Sequence, residues 1–372
     1  MKQTISLKLE PSPEQYNALL DSMEAFNRGC QMVADIAYQK RLANKIVLQT
    51  MTYSDLRERF GLSSQLAIRA IAKTVEAYKR DKRVHVSFDL HGAMVYDNRI
   101  MSFKGITHVS LWTVTGRVFV PIRFGAYQEA RIDRIKGQAD LVLREGVFYL
   151  FCTIDLPTPP PADVSNGVLG VDLGIVQIAS DSEGNQYSGE QVNAVRKRVG
   201  EHRRNLQKAN TNSAKKRLRR IARRQSRFVK DTNHCISKKI VTTALRSKKA
   251  ISLEDLTGIR ERASVLGKRM RWLLGNWSFF QLAQFVTYKA ESVGIPVVKI
   301  DPRNTSRTCS VCGHCAKSNR KSQAKFVCQE CGHSANADLN AAINIAARGA
   351  LSATLLSSDS DQTKVRTFAK RV

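Results

Sequence analysis

Val168-Leu169-Gly170-Val171-Asp172-Leu173-Gly174 is an apolar strand interrupted by one carboxylate. A charge inside such a strand is costly unless it is paired or binds a cation. Val176-Gln177-Ile178-Ala179 and the turn residues Ser182-Glu183-Gly184-Asn185 follow, so the pattern predicts an antiparallel hairpin. Outward from there, Ala250-Ile251-Ser252-Leu253 is a second apolar strand that ends in Glu254-Asp255. Residues 277–293 read as an amphipathic helix, and Ile295 to Ile300 as another strand. Residues 338–348 form an Ala- and Ile-rich helix opened by Asp338. Each acid alone has a plain structural reading, such as a strand-end or capping carboxylate. The ordered set is another matter. Three carboxylates converging at the edge of a mixed sheet can hold two Mg²⁺ or Mn²⁺ ions about 4 Å apart. One ion would activate water, and the other would stabilise the leaving 3′ oxygen of a phosphodiester.

Five of the eight cysteines lie together, as Cys309-x2-Cys312, then Cys315, then Cys328-x2-Cys331. Two CxxC knuckles, turned by Gly313 and Gly332, complete a tetrahedral zinc site. Cys309, Cys312, Cys328 and Cys331 are the best ligand set, with Cys315, His314 and His333 as substitutes. Four protein ligands leave no open position, so one structural Zn²⁺ is expected. Disulfides would suit a secreted chain, but the first ten residues alternate polar and apolar and carry no signal-peptide pattern. Cys30, Cys152 and Cys235 stand singly and read as core or inert.

The 372 residues allow two or three domains and carry a net charge of +28. No apolar run approaches the roughly 18 residues of a membrane span. An enzyme for small acidic substrates rarely needs such an excess, so a polyanion partner is expected, and nucleic acid is the commonest one. The charge is not spread evenly. Residues 166–189 hold three acids and no Lys or Arg, whereas residues 190–249 are net +17. That stretch has two thin apolar seams, Val195, Val199, Leu206 and Leu218, Ile221, Phe228, broken at Asn210-Thr211-Asn212-Ser213. A hairpin of two basic helices fits. Like charges four apart on a helix repel, so the stretch reads as a phosphate-facing surface rather than a plain solvated face. Arg203, Arg204, Lys215, Lys216, Arg219, Arg220, Arg223 and Arg224 are its candidate contacts.

Before Pro157-Thr158-Pro159-Pro160-Pro161, a rigid linker, the pattern differs. Residues 3–9 alternate as a strand, and a helix runs from Pro13 to about Lys40. A second helix, capped by Ser54 and interrupted near Gly61-Leu62-Ser63, reaches about Lys82. Ile68, Ala72 and Val75 can face a core, while Gln65, Arg69 and Lys73 share another face. From Val84 to Leu156 the period is two. Residues 84–88, 108–112, 117–120 and 147–151 read as strands of a small β-barrel that the first strand joins. Residues 351–372 are Ser-rich and read as a flexible tail.

Gly170-Val171-Asp172-Leu173-Gly174, Ser252-Leu253-Glu254-Asp255-Leu256 and Asn336-Ala337-Asp338-Leu339-Asn340-Ala341-Ala342 resemble the three motifs of a RuvC-type RNase H-fold nuclease. Thr305-Ser306-Arg307-Thr308-Cys309, Cys312-Gly313-His314, Asn319-Arg320-Lys321-Ser322-Gln323 and Phe326-Val327-Cys328 are similar to the zinc segment of the TnpB family, relatives of type V CRISPR nucleases. The resemblance implies an α+β multidomain fold. Its parts would be a β-barrel wedge domain (1–10 and 84–156), a helical recognition domain (11–83) and a linker (157–165). A RuvC-like RNase H-fold nuclease (166–303 and 336–350) would follow, with a zinc ribbon (304–335) inserted and a tail (351–372). It further implies an RNA-guided DNA endonuclease of an insertion sequence, whose guide RNA comes from the element's right end. Such a protein reads a short motif beside the target and cuts double-stranded DNA, as a monomer on its RNA, in the bacterial cytoplasm and on the nucleoid. Asp172, Glu254 and Asp338 would be catalytic and hold magnesium. Arg320 would stabilise transition-state charge, and Gln65, Arg69 and Lys73 would touch DNA beside the target. Three other readings share parts of this pattern: a nuclease-inactive RNA-guided regulator, a strand-transfer transposase and a small type V CRISPR effector.

Overall fold

The structure is a computed structural model that describes residues 2–81, 83–259, 267, 271, 278–322 and 324–368, with backbone alone at 80 and 353–368. The chain divides into two compact units, residues 1–157 and 158–372.

In the first unit, β1 (Lys2–Leu9) is followed by α1 (Pro13–Gln39), α2 (Lys45–Glu58) and α3 (Ser64–Arg80). Then come β2 (Met94–Tyr96), β3 (Met101–Lys104), β4 (His108–Thr113), β5 (Gly116–Arg123), the short α4 (Ala126–Glu129), β6 (Ile135–Arg144) and β7 (Val147–Asp155). Ser12 and Gln15 form a reciprocal capping box that starts α1. The strands make one antiparallel sheet in the order β2-β6-β7-β1-β5-β4-β3. Leu7 lies opposite Leu150, and Leu150 opposite Leu141, so one face buries a continuous aliphatic layer. Leu19, Met23, Phe26, Val33, Leu66 and Ile71 of the helices complete that core. The sheet curls, with the Tyr96 hydroxyl of β2 donating to the carbonyl of Trp112 in β4 at 3.0 Å.

Several expectations are corrected in this unit. Ser54 lies inside α2, whose N-cap is Asn44, and Ser63 caps α3 after the break at Gly61. Val75 faces the core as expected, but Ile68 and Ala72 are only partly buried, and the rest of the core face of α3 is Leu66, Ala67, Ala70, Ile71, Thr74 and Tyr78. Residues 84–88 form no strand. Helix side chains take their backbone bonds: the Val86 N–H donates to Tyr78 Oη and the Phe88 N–H to Gln31 Oε1. The strands β2, β3 and β6 went unread, because Gly137, Gln138 and Asp140 break the alternation in β6 and the other two span three and four residues.

The second unit holds β8 (Val168–Asp172), β9 (Gln177–Asp181), β10 (Gln186–Ser188), α5 (Glu190–Ala209), α6 (Asn212–Arg246) and β11 (Ala250–Glu254). After these come α7 (Phe279–Glu291), β12 (Val297–Ile300), β13 (Lys325–Val327), β14 (Ser334–Asn336) and α8 (Ala337–Phe368). Five strands form a mixed sheet in the order β10-β9-β8-β11-β12. β8, β11 and β12 run parallel, β9 pairs antiparallel with β8, and β10 pairs antiparallel with β9. Residues 158–166 are docked rather than free. Gly294, at φ +77, lets the Pro160 carbonyl approach, and the Ala162 N–H donates to the Gly294 carbonyl at 2.9 Å. α8 continues to Phe368, where a flexible tail from 351 was expected. No Gly or Pro follows Gly349 to break the helix. Gln323, Lys82 and residues 369–372 lie outside the described residues.

Candidate active site

Alternation places the first two acids. In β8, Leu169 and Val171 point into a core shared with α6 and α7, and in β11 so do Ile251 and Leu253. Gly170 and Asp172, like Ser252 and Glu254, therefore face the opposite side. That side is covered by α8. A Cβ at Gly170 would collide with the backbone of Ala342 and Ala346, and one at Gly349 would strike Ser252. Asp338, Ala342, Ala346 and Gly349 share one stripe of α8, so Asp338 opens the helix on the face turned to the sheet. The parallel register sets Leu253 beside Val171, so Asp172 and Glu254 end neighbouring strands on the same edge. All three expected carboxylates are thus brought to one place by small residues that let a helix sit close on a strand.

Their electrostatics agree. Burial, then the negative charges of Glu254 and Asp338, push Asp172 up to about 7, against the pull of Arg320. Burial also raises Glu254, although the Thr305 hydroxyl and Arg348 draw it back. Burial raises Asp338, again opposed by Arg320. Arg320 Nη2 lies 3.4 Å from Asp338 Oδ1, so the expected cation does stand at the acids. Hard oxygen donors with surplus negative charge suit divalent cations by their chemistry. Asp181 shows the contrast. It is fully buried, but its carboxylate accepts from the backbone N–H groups of Glu183 and Asn185 and from the Asn185 side chain, so it closes a turn.

Beside this edge, Cys309, Cys312, Cys328 and Cys331 place their Sγ atoms within 4.8 Å of one another. Cys309 and Cys331 are 3.7 Å apart, and Cys312 and Cys328 are 3.5 Å apart. A tetrahedron with Zn–S bonds of about 2.3 Å has edges of about 3.8 Å, so the set fits zinc. Gly313 and Gly332, at φ +77 and +70, turn the two knuckles. The backbone N–H of Cys331, with that of Glu330, lowers the Cys328 thiol to about 6, while Cys312, which the His314 backbone N–H draws down, is pushed up to about 12 by its bonds to the other three thiols. Cys315 lies outside the set, and Cys235 is exposed rather than core. Asn319 belongs to the family-like stretch Asn319 to Gln323, but no role of its own was legible in the sequence. Fully buried, it donates to the carbonyls of Arg307 and His314 and accepts from the Gln329 N–H, tying one knuckle to the other. Its other sequence signal was its place as a polar residue between the two cysteine pairs.

The basic stretch is the predicted hairpin. α5 ends at Asn210 in the left-handed conformation, and Thr211 caps α6. Arg203, Arg204, Lys215, Lys216, Arg219, Arg220, Arg223 and Arg224 are all exposed. The helices enclose a groove of about 610 Å³ floored by Val195, Val199, Ile221 and Phe228. Arg198, His202, Arg217, Arg220 and Arg224 line it, so Arg198 and Arg217 join the candidates. Gln65, Arg69 and Lys73 are half-buried and have partners within the first unit. Gln65 and Arg69 both hold Asp97, and Lys73 donates to Asn27 and to the Ala93 carbonyl between the rings of Phe26 and Phe88.

Residues 151–257 match a family described as "Probable transposase", OrfB of IS605 type, and residues 279–345 match "Cas12f1-like, TNB domain". The "Putative RNA-guided DNA endonuclease InsQ" of Escherichia coli (strain K12) is 31% identical over 282 residues, covering 67% of this chain and 66% of that protein. A TnpB-like protein of Methanocaldococcus jannaschii is 34% identical over 128 residues, 34% of this chain and 45% of that one. The chain belongs to the TnpB family. A relative named CRISPR-associated endodeoxyribonuclease Cas12f1, from Sulfoacidibacillus thermotolerans, is 34% identical over 220 residues, 55% of this TnpB-family chain and 50% of that protein. The chain thus spans about half the length of that relative. In fold, this TnpB-family chain is similar to the Cas12f1 of a Cas12f1–sgRNA–target DNA complex. The TM-score is 0.64 at 14% identity, over 93% of this chain and 98% of that one. Among the described residues, no helix is long and apolar enough to cross a membrane.

Proposed function

We propose that this chain is an RNA-guided DNA endonuclease of a transposable element. The observation that carries the proposal is the convergence of Asp172, Glu254 and Asp338 at one sheet edge, next to a four-cysteine cluster. The names of its relatives, InsQ and Cas12f1, support the reaction class. The second unit is then a RuvC-like RNase H-fold nuclease carrying a zinc ribbon, and the first unit supplies the wedge and helical recognition parts.

Asp172, Glu254 and Asp338 would hold Mg²⁺ or Mn²⁺, and Cys309, Cys312, Cys328 and Cys331 would hold Zn²⁺. Divalent cations bound at the acids supply Lewis-acid chemistry that activates water and neutralises a phosphodiester. The chain's own residues do the rest. The acids stay close because Gly170 admits α8. Arg320, held against Asp338, offers its guanidinium to a phosphoryl oxygen, as a cationic clamp does. The arginine-lined groove of α5 and α6 grips phosphates without reading bases. That suits a protein whose sequence choice is delegated to a guide RNA from the element's right end, pairing with the target strand. The chain acts as a monomer on that RNA and reads a short motif beside the target in double-stranded DNA. Gln65, Arg69 and Lys73, half-buried in the first unit, are the proposed contacts to DNA beside the target.

The intact set of three acids disfavours a nuclease-inactive regulator. The Cas12f1 relatives keep a small type V effector as the second reading, which a CRISPR array beside the gene would favour. The test is to express the chain with its flanking DNA, sequence the co-purified RNA, and offer a matching plasmid. The wild type should linearise it in Mg²⁺, and Asp172→Ala should bind the same RNA and leave the plasmid intact. Cutting by the variant would remove the assignment of the acids.

A further inference from the structure

Residues 301–310 run from β12 to the first cysteine knuckle without forming a helix or a ladder strand. Part of their backbone is bonded by one stripe of α8. Asn340, Asn344 and Arg348 stand four residues apart and so stack along the helix. The Asn340 side chain donates to the Thr308 carbonyl at 2.8 Å and accepts from the Ser310 N–H at 3.0 Å. Asn344 donates to the carbonyls of Thr305 and Thr308, at 2.9 and 2.7 Å. Arg348 donates to the carbonyls of Asp301 and Arg303, at 3.1 and 2.6 Å. Asn304, left-handed at φ 62, turns the chain into this ladder. The result is one fixed side chain, Thr305, which is 3% exposed.

Thr305 Oγ1 lies 2.6 Å from Glu254 Oε1 and 3.0 Å from the Pro302 carbonyl. A hydroxyl has one proton to give. The shorter contact has the length of a bond to an ionised carboxylate, so the charged form of Glu254 takes it. We propose that Thr305 is the positioning residue of Glu254. It fixes the rotation of that carboxylate, so the affinity of the acidic site for a divalent cation depends on a hydroxyl delivered by the segment that leads into the cysteine cluster. Hydrogen-bond partners of a ligating carboxylate set its orientation and commonly change metal affinity by about 10- to 100-fold. The inference rests on the reading of the three acids as a cation site, and its test separates the two.

Mn²⁺ alone, without nucleic acid, is titrated into the full chain, and free Mn²⁺ is followed by its electron paramagnetic resonance signal. Wild type, Glu254→Gln, Thr305→Val and Thr305→Ser are compared at equal zinc content. Thr305→Val should weaken Mn²⁺ binding by about tenfold. Thr305→Ser, which restores the hydroxyl, should return it close to wild type, and a role in folding alone would not give that recovery. Thr305→Ala serves if valine prevents folding. Thr305→Val binding as the wild type does, or Thr305→Ser as weak as valine, overturns the inference while leaving the cation site in place. Wild-type chain with no Mn²⁺ binding that Glu254→Gln removes overturns both.

Discussion

Asp172 is held in the folded chain at about 7, far above the ordinary aspartate value near 3.8. Between those two pH values the folded state keeps a proton that the unfolded chain has released. The folded state therefore binds more protons, and stability falls as pH rises from about 4 to 7. Asp172→Asn removes that titration. Without added divalent cation, the unfolding free energy of the wild type from urea titration should fall over this window relative to the variant, by an amount on the order of a few kcal/mol. Mg²⁺ added above pH 7 should recover the loss in the wild type only. Parallel pH curves for the two proteins would mean that Asp172 is not desolvated among like charges. Gly170 is the second residue with a sharp consequence, because α8 backbone occupies the space of its absent Cβ. Gly170→Ala should cost about 1–3 kcal/mol of stability and lower cleavage further than that loss accounts for, because α8 carries Asp338. Unfolding curves and a plasmid assay on the same preparation would show both.

At the scale of elements, the strands that were legible are those with a clean period and a marked end. β8 and β11 are apolar runs stopped by a carboxylate, and β9 and β10 flank a Ser-Glu-Gly-Asn turn. The basic hairpin was legible because Asn210 and Thr211 suit the end of one helix and the cap of the next. Residues 84–88 alternate like a strand, yet pairing is a tertiary matter, and Gln31 and Tyr78 supply the partners instead. The partners of Gln65, Arg69 and Lys73 were illegible for the same reason. Nothing in α3 itself announces Asp97, which is 28 residues beyond Arg69. The cysteine spacing was a stronger signal, since four thiols within 4.8 Å follow from two knuckles. Buried Asn319 shows what spacing leaves out, as the knuckles meet through an amide between them. Serine at Cys309 or Cys328 should abolish zinc binding, measured by metal analysis of the purified chain. It should also lower the thermal midpoint, because these two buried thiols sit with Phe326 and Ala337 in the ribbon's small core. Full zinc content in both variants would remove the site.

For the whole molecule, the net charge of +28 acquires a location and a shape. The edge that gathers three acids lies in a unit whose two longest basic elements, α5 and α6, form a groove with an apolar floor and arginine walls. A diffuse positive surface and a built groove predict different salt behaviour. Each phosphate neutralised by a fixed cation contributes about 0.9 to the slope of log affinity against log salt for duplex DNA. Replacing Arg198, Arg217, Arg220 and Arg224 by Gln removes four charges from the groove walls. Replacing Arg203, Arg204, Lys215 and Lys216 removes four from the exposed helix ends. If phosphates seat in the groove, the first set should flatten the slope by about 3.6 and the second by clearly less. Fluorescence anisotropy on one labelled duplex across a KCl series measures both. Equal flattening would return the groove to ordinary surface, with affinity following net charge alone. A larger effect from the groove set, with zinc content and fold intact, would mean that the excess charge is held in a fixed geometry in the same unit as the acids.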